Sequence, residues 1–334
     1  MTIALLLEPL KLGTLNLANR LVMPPLASAK AEADGSVSQK LLDYYDEKSA
    51  GGYISLIIIE HSYISLEGKA SNNQLSVAED SNIAGLKQLA EVIHRNGSKA
   101  VMQINHAGVR ANEEITGTMP VGPSAVINPR EGNIPRELTQ TEISHIVKAF
   151  SDAASRVQQA GFDGVEVHIA HGYLLSQFLS PLTNQRDDEY GGSLPKRLRI
   201  HLEIIKAVRA AVGEDFTILV RLGADDFIEG GTTIADSQIA AQELVKAGVD
   251  ILDISGGLLG YNIPGLSGQG YFAPLSEAIK KVVSVPVILT GGISEAQAAE
   301  KLLLDGKADL IGVGRAILKD SNWARNAIES LSQV

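Results

Sequence analysis

Eight short apolar runs, each separated from the next by a stretch of helical length, constrain this chain more than any other feature. They are Arg20 to Met23, Ile54 to Ile59, Lys99 to Ile104, Gly164 to Ile169, Phe216 to Val220, Asp250 to Ile254, Val285 to Leu289 and Ala308 to Val313. Runs such as Leu56-Ile57-Ile58-Ile59 are apolar without alternation, which suits strands covered on both faces in a parallel sheet. Between them lie amphipathic stretches with start and stop signals. Thr139-Gln140-Thr141-Glu142 opens one that ends at Ala160-Gly161, and Gly248 closes another. Strand and helix alternating eight times predict a (β/α)8 TIM barrel, since a doubly wound open sheet usually has fewer strands. Length alone would allow two domains. The strand count favours one, residues 1–334, with a short N-terminal lead-in and long βα loops.

Polar residues gather at the ends of these runs. Glu60 and His61, Gln103, His168, Arg221, Asp253 and Ser255, Thr290, and Gly314-Arg315 each stand at or just past the C-terminal end of a predicted strand. Barrels build their active sites at that face, so the pattern points to a polar site there, although strand ends also need hydrogen-bonding residues for structural reasons. Two connections are too long to be simple turns: Asn105 to Glu137, rich in Pro, Gly and Asn, and the glycine-rich Ser255 to Gly270. Long loops of this kind are lids, substrate-binding elements or surface insertions.

Composition removes several classes of function. Lys plus Arg total 29 against 39 Asp plus Glu, a net charge of −10 without a basic cluster, so neither nucleic acid nor a membrane surface is an expected partner. The chain has no cysteine, which excludes disulfide frameworks, iron–sulfur clusters, Cys-ligated zinc and thiol nucleophiles, and fits a reducing compartment. The apolar run Ile3 to Leu7 lacks a basic flank and is cut short by Glu8-Pro9, so it reads as neither signal peptide nor membrane span. A cytoplasmic location is expected.

The last two predicted strands end in glycines that lead into helices, Thr290-Gly291-Gly292-Ile293-Ser294 and Gly312-Val313-Gly314-Arg315. Glycine allows close backbone approach, helix N-terminal amides attract phosphate, and Arg315 adds a cation. Such a seat suits isomerases, aldolases and flavin enzymes alike, or the glycines simply make tight turns. After the fourth strand, His168-Ile169-Ala170-His171-Gly172-Tyr173 places two imidazoles and a phenol together. Paired donors aimed at a carbonyl oxygen stabilise an enolate, and a phenol can supply a proton. The same histidines read as metal ligands or buried structural residues if a third ligand or only a core surrounds them. Arg221 lies in a run expected to be buried, so it needs an anion: Asp225, Asp226 or Glu229, or a ligand.

The run HIAHGYLLSQFLSPLTNQRDDEYGGS, from His168 through Pro181, Asn184, Arg186 and Glu189 to Tyr190-Gly191-Gly192-Ser193, resembles the long signature of the Old Yellow Enzyme family of FMN-dependent ene-reductases, also called NADH:flavin oxidoreductases. The likeness extends to Asn19-Arg20-Leu21-Val22-Met23-Pro24-Pro25, Gln103-Ile104-Asn105-His106-Ala107-Gly108, Val220-Arg221 and both glycine turns, and so covers essentially the whole chain. It implies an FMN with its phosphate at Gly291, Gly292, Gly314 and Arg315 and its pyrimidine edge at Gln103. It further implies Arg221 near flavin N1, and Pro24, Pro25, Leu26 and Ala27 along the reactive face. His168 and His171 match the donor pair on the substrate carbonyl, and Tyr173 the proton donor to the α-carbon. The implied reaction is ping-pong: NADH or NADPH reduces FMN, then an electron-poor alkene takes hydride from flavin N5.

Departures from the family are as informative. Ala27 stands where most members carry a Thr or Cys near flavin C4 and N5, so that contact is absent unless Ser28 substitutes. Ala29 occupies a place where part of the family has a substrate-facing tyrosine, and His61 one where a small residue is commoner, which makes both candidate substrate-pocket positions. The sequence stops at Val334 without the arginine-bearing tail that some members insert into a neighbouring subunit, which leaves the architecture of any homo-oligomer open. Nor does it carry the iron–sulfur segment of larger dienoyl-thioester reductases. Alternatives are an oxidase passing electrons to oxygen or another acceptor, a flavin-free aldolase or isomerase barrel, and a flavin-binding module without activity. The flavin-free barrel would want a strand-end Lys or paired carboxylates, for which Glu60 and Asp253 are the nearest candidates.

Overall fold

The computed structural model describes residues 3–332, so Val334 lies outside the described residues. Eight parallel strands close into a barrel: β1 (Leu21–Met23), β2 (Leu56–Tyr63), β3 (Lys99–Asn105), β4 (Gly164–Ile169), β5 (Thr217–Gly223), β6 (Ile251–Ser255), β7 (Val287–Thr290) and β8 (Leu310–Gly312). Neighbours in sequence are neighbours in space, and β8 pairs with β1 to shut the ring. The principal outer helices are α1 (Gln39–Ser49), α2 (Ile83–Arg95), α3 (Gln140–Gln159), α4 (Leu194–Val212), α5 (Ile234–Lys246), α6 (Ala273–Lys280), α7 (Ala296–Leu304) and α8 (Trp323–Ser332). This is the (β/α)8 TIM barrel that the alternation predicts. Among the described residues no helix is long and apolar enough to cross a membrane.

Local chemistry sets the helix boundaries. At α3 the Thr139 hydroxyl accepts from the Glu142 N–H while the Glu142 carboxylate accepts from the Thr139 N–H, the reciprocal capping box that the sequence shows, and Thr233 with Asp236 repeats it at α5. Each such cap is worth about 1 kcal/mol. The inner side chains of the lower barrel are Val22, Leu56, Ile58, Val101, Leu219, Ile251, Ile288 and Leu310, all buried, and an antiparallel hairpin of Leu10–Leu12 and Leu15–Leu17 closes that end with Leu15 and Leu17. The lead-in is therefore the barrel's floor.

β2 runs further than its apolar stretch predicts, to Tyr63, because Glu60 and Ser62 are buried with partners: the Glu60 N–H donates to Oη of Tyr45 on α1 at 3.0 Å and Ser62 Oγ to the Glu60 carbonyl at 3.0 Å. Its pairing with β3 shifts register between Ile59 and Ser62. Such irregularities re-aim side chains beside active sites. Glu60 here turns back toward Tyr45 and Ser28, whereas His61 enters the space above the barrel.

The first long loop is organised by residues of the signature run. Arg186 Nη1 donates to the carbonyls of Pro123 (2.8 Å) and Leu138 (2.6 Å), and a small parallel pair, Val121–Gly122 with Arg136–Glu137, forms beside it. Asn184 Nδ2 bridges the carbonyls of Phe178 and Tyr190, both at 2.7 Å. A Cβ at Gly191 would fall 2.3 Å from the Arg186 carbonyl oxygen, so no side chain fits there. Much of the signature is thus scaffolding for the loops above the barrel.

Candidate active site

A cavity of about 660 Å³ opens at the C-terminal face of the barrel. Cofactor and substrate sites are commonly of this size. Pro24, Pro25, Leu26, Ala27, His61, Gln103, His168, His171, Tyr173, Arg221, Gly291, Gly292, Gly314 and Arg315 all line it, so one space gathers these residues from strands β1 to β5, β7 and β8. Ala29 does not line it; the chain turns there with φ of 51°. Nor does Ser28, whose N–H donates to Glu60 Oε2 at 3.2 Å while its hydroxyl is buried without a partner, so it does not replace the missing side chain at Ala27.

The floor is made by strand register. β3 and β4 set Gln103 beside Glu166, and Gln103 Nε2 donates to Glu166 Oε1 at 2.7 Å. β5 and β6 set Arg221 beside Asp253, with Nε 3.4 Å from Oδ2. Of the partners that the sequence leaves open for Arg221, this replaces the loop acids Asp225, Asp226 and Glu229 with Asp253, and the unpartnered Nε keeps room for a ligand. Asp225 and Asp226 instead accept from loop N–H groups, those of Phe227, Thr232 and Leu258, and hold the turns after β5. Arg221 Nε, both Asp253 oxygens, Glu166 Oε2 and Thr290 Oγ1 are buried without hydrogen-bond partners. Burial pushes the Glu166 carboxyl well above the carboxylate range, reinforced by Asp253 and opposed by Arg221, and burial raises Asp253 against the pull of the same arginine.

One wall gathers four titratable rings, His61, His168, His171 and Tyr173. The His168 ring lies edge-on to His171 at 4.9 Å between centroids and 5.1 Å from the Tyr173 ring, and His61 stands 5.3 Å from Tyr173 on the other side. His171 adopts a left-handed backbone, φ 61°, which a non-glycine residue holds only where its surroundings impose it. Its carbonyl accepts from Arg110 and from Arg130, each at 2.9 Å, its Nε2 pairs with Ser255 Oγ at 2.8 Å, and its N–H donates to the Gly256 carbonyl at 3.3 Å. Burial, then neighbouring cationic groups, hold both imidazoles well below the ordinary histidine range, so each is neutral and has one N–H to give. Burial also lowers His61 to about 4. The Tyr173 phenol is raised by burial and pulled down by Arg110 and Arg130.

The opposite end is built from backbone. Gly291 (φ 146°) and Gly292 (φ 68°) take conformations that side chains resist, and a Cβ at Gly312 would lie 2.1 Å from Thr290 Oγ1. Gly314 caps the short helix Arg315–Lys319. A glycine cradle with a cation at one end, a floor carrying an amide and an orphaned guanidinium Nε, and an apolar stretch at Pro24 to Ala27 together fit an FMN: its phosphate, its polar pyrimidine edge and its apolar ring surface each find suitable groups. Sequence reasoning missed Glu166 and the pairing role of Asp253, which sit inside apolar strands, and Arg110, Arg130, Tyr261 and Phe272, which also line the cavity. The long loops were conspicuous, but nothing local says which of their residues turn inward.

Residues 5–333 match the NADH:flavin oxidoreductase / NADH oxidase family. An NADH oxidase of Thermoanaerobacter brockii is 45% identical over 326 residues, 96% of this chain and 50% of that protein. The chain thus spans about half the length of that relative. An NADPH dehydrogenase of Clostridium acetobutylicum is 38% identical over 304 residues, 91% of this chain and 88% of that protein. Among solved structures, an old yellow enzyme homologue from Zymomonas mobilis superposes with a TM-score of 0.85 at 27% identity, covering 97% of this chain and 92% of its own.

Proposed function

The chain belongs to the NADH:flavin oxidoreductase / NADH oxidase family, and from that premise we propose that it uses NADH or NADPH, through FMN, to reduce the activated C=C bond of an α,β-unsaturated carbonyl compound. Bound FMN supplies the hydride chemistry. Gly291, Gly292, Gly314 and Arg315 would hold its phosphate and Gln103 its pyrimidine edge, and the Arg221 guanidinium would stabilise the negative charge that the flavin gains on reduction. Pro24, Pro25, Leu26 and Ala27 exclude water from its reactive face.

His168 and His171, both neutral, each aim one N–H at the substrate carbonyl oxygen and strengthen those bonds as the oxygen becomes an enolate. Tyr173 Oη gives its proton to the α-carbon. The Arg110 guanidinium lies 4.6 Å from the centre of the Tyr173 ring and meets the negative charge left behind. His61 Nε2, 3.5 Å from the Tyr173 hydroxyl and neutral above a pH of about 4, can hydrogen-bond the phenol oxygen but carries no proton to replace the one given up, which returns from solvent.

One observation carries this reading: a single cavity joins His168, His171 and Tyr173 at one wall to the glycine cradle and Arg315 at the other. The test is direct. Purified protein is expected to be yellow or to take up added FMN, and under anaerobic conditions to oxidise NAD(P)H only when a cyclic enone is present. A preparation that binds no FMN sinks the proposal. NAD(P)H oxidation that needs oxygen and ignores the enone establishes the oxidase reading, which the name of the Thermoanaerobacter brockii relative favours.

A further inference from the structure

Among the described residues, four arginines line the cavity, Arg110, Arg130, Arg221 and Arg315, and no aspartate or glutamate does. That is notable in a chain whose net charge is −10. Arg221 and Arg315 are accounted for by the FMN seat. Arg110 and Arg130 lie outside that seat, and the place of Arg110 over Tyr173 does not explain why the two are paired.

Both stand on the long loop after β3, and their guanidiniums converge. Nη1 of each donates to the His171 carbonyl oxygen at 2.9 Å, and Arg130 Nη1 also reaches the Leu258 carbonyl at 3.2 Å. The Nε of each faces the same carboxylate oxygen of Glu131, at 2.8 Å from Arg110 and 3.4 Å from Arg130. One carboxylate therefore answers two guanidiniums. Arg130 packs closely on a glycine turn: a Cβ at Gly260 would fall 2.7 Å from its Nη1. Burial and the like charge of Arg110 both weaken its hold on its proton. Two half-buried cations sharing one anion beside neutral imidazoles form an arrangement that a further oxyanion would complete, because guanidiniums bind oxyanions through paired charge-assisted hydrogen bonds. Only a peptide carbonyl separates this charge from the His171 imidazole.

We propose that the substrate reduced here carries an oxyanion, such as a carboxylate, held by Arg110 and Arg130 while its carbonyl lies at His168 and His171. The inference rests on the reaction proposed above and names its substrate class. The diphosphate of the nicotinamide reductant offers the same chemistry, and the experiment separates the two sources.

The FMN-loaded enzyme is assayed anaerobically with cyclohexenone and with the same ring bearing a carboxylate, in wild type, Arg110→Gln and Arg130→Gln. The wild type favours the acid in kcat/KM by about tenfold or more at low salt, less as ionic strength rises, and each variant lowers that ratio by about tenfold. The ratio is the readout, because Arg110 also lies over Tyr173. A binding arm needs no turnover: 4-hydroxybenzoate and its methyl ester are titrated into the oxidised enzyme and followed in the flavin spectrum, where the acid binds tighter only while both arginines are present. Equal constants for acid and neutral partner in the wild type overturn the inference, and this measurement stands even if a variant fails to fold. A rise in the KM for NADH with the acid-to-neutral ratio unchanged assigns the arginines to the reductant and overturns it too. Reduction of neither ring counts against the proposed reaction instead, and the titration then decides the anion site alone.

Discussion

The lower and upper halves of this barrel are made by the same strands two residues apart, and they are opposite in kind. Below, Val101, Leu219, Ile251 and Ile288 point inward into a dry core sealed by the N-terminal hairpin. Above them, at the next inward positions, stand Gln103, Arg221, Asp253 and Thr290, of which the last three keep buried polar atoms without partners. A side chain below gains about 1.5–3 kcal/mol from burial, whereas a polar group above loses hydration and regains only part of it from its neighbours, as Gln103 does from Glu166 and Arg221 from Asp253. One end of each strand buys stability and the other holds unmet valences for chemistry.

The largest effect that would sharpen this contrast is at the upper rim. Replacing His168 and His171 together by Ala is expected to lower kcat/KM for enone reduction by about 10²- to 10⁴-fold and to abolish the long-wavelength band formed with a phenol, with the denaturant midpoint little moved. Retention of full phenol affinity would refute the donor pair. Leu219→Ala, one inward step below Arg221, is expected to do the reverse, costing about 3 kcal/mol of stability in urea titration while the FMN-loaded enzyme keeps its kcat. A collapse of activity in the folded variant would break the division between the halves.

Glu60 tests the boundary through pH. Burial raises its carboxyl to about 7, so the folded chain binds a proton that the unfolded chain has already released. Its contribution to stability is complete below about 4.5 and is lost as pH rises through about 7. Glu60→Gln removes that decline. The wild type is expected to lose about 2 kcal/mol more than the variant between pH 5 and 8, and identical pH profiles would contradict the buried acid. The smallest effect is at Ala27, which lines the cavity with no polar group. Ala27→Thr restores one hydrogen bond toward the flavin, worth about 1 kcal/mol, and so is expected to move the midpoint potential by roughly 20 mV for two electrons.

How much of this was legible beforehand varies by residue. Gly164–Ile169 matches its predicted strand at both ends, since its bounds are marked by a turn and by His168. β2 does not, because its polar continuation is stabilised by Tyr45, a residue of another element. His168, His171, Tyr173 and the glycine turns were visible as local patterns, and the cavity gathers them. Glu166 was not, since within Gly-Val-Glu-Val-His-Ile it looks like an exposed position of a strand that is in fact enclosed on both faces. Arg110 and Arg130 were hidden for a different reason: irregular loops have no period that reveals which side chains face inward.

The sequence by itself determined the eight strands, their order, the polar ends and the glycine turns, because these follow from periodicity, burial and backbone freedom that each segment carries alone. Only the tertiary structure decided that Asp253 rather than a nearby loop acid answers Arg221, that Ser28 turns away from the cavity, and that two loop arginines share one glutamate beside His171. Those are contacts between segments far apart in the chain. They depend on strand register and loop closure, which no local preference encodes.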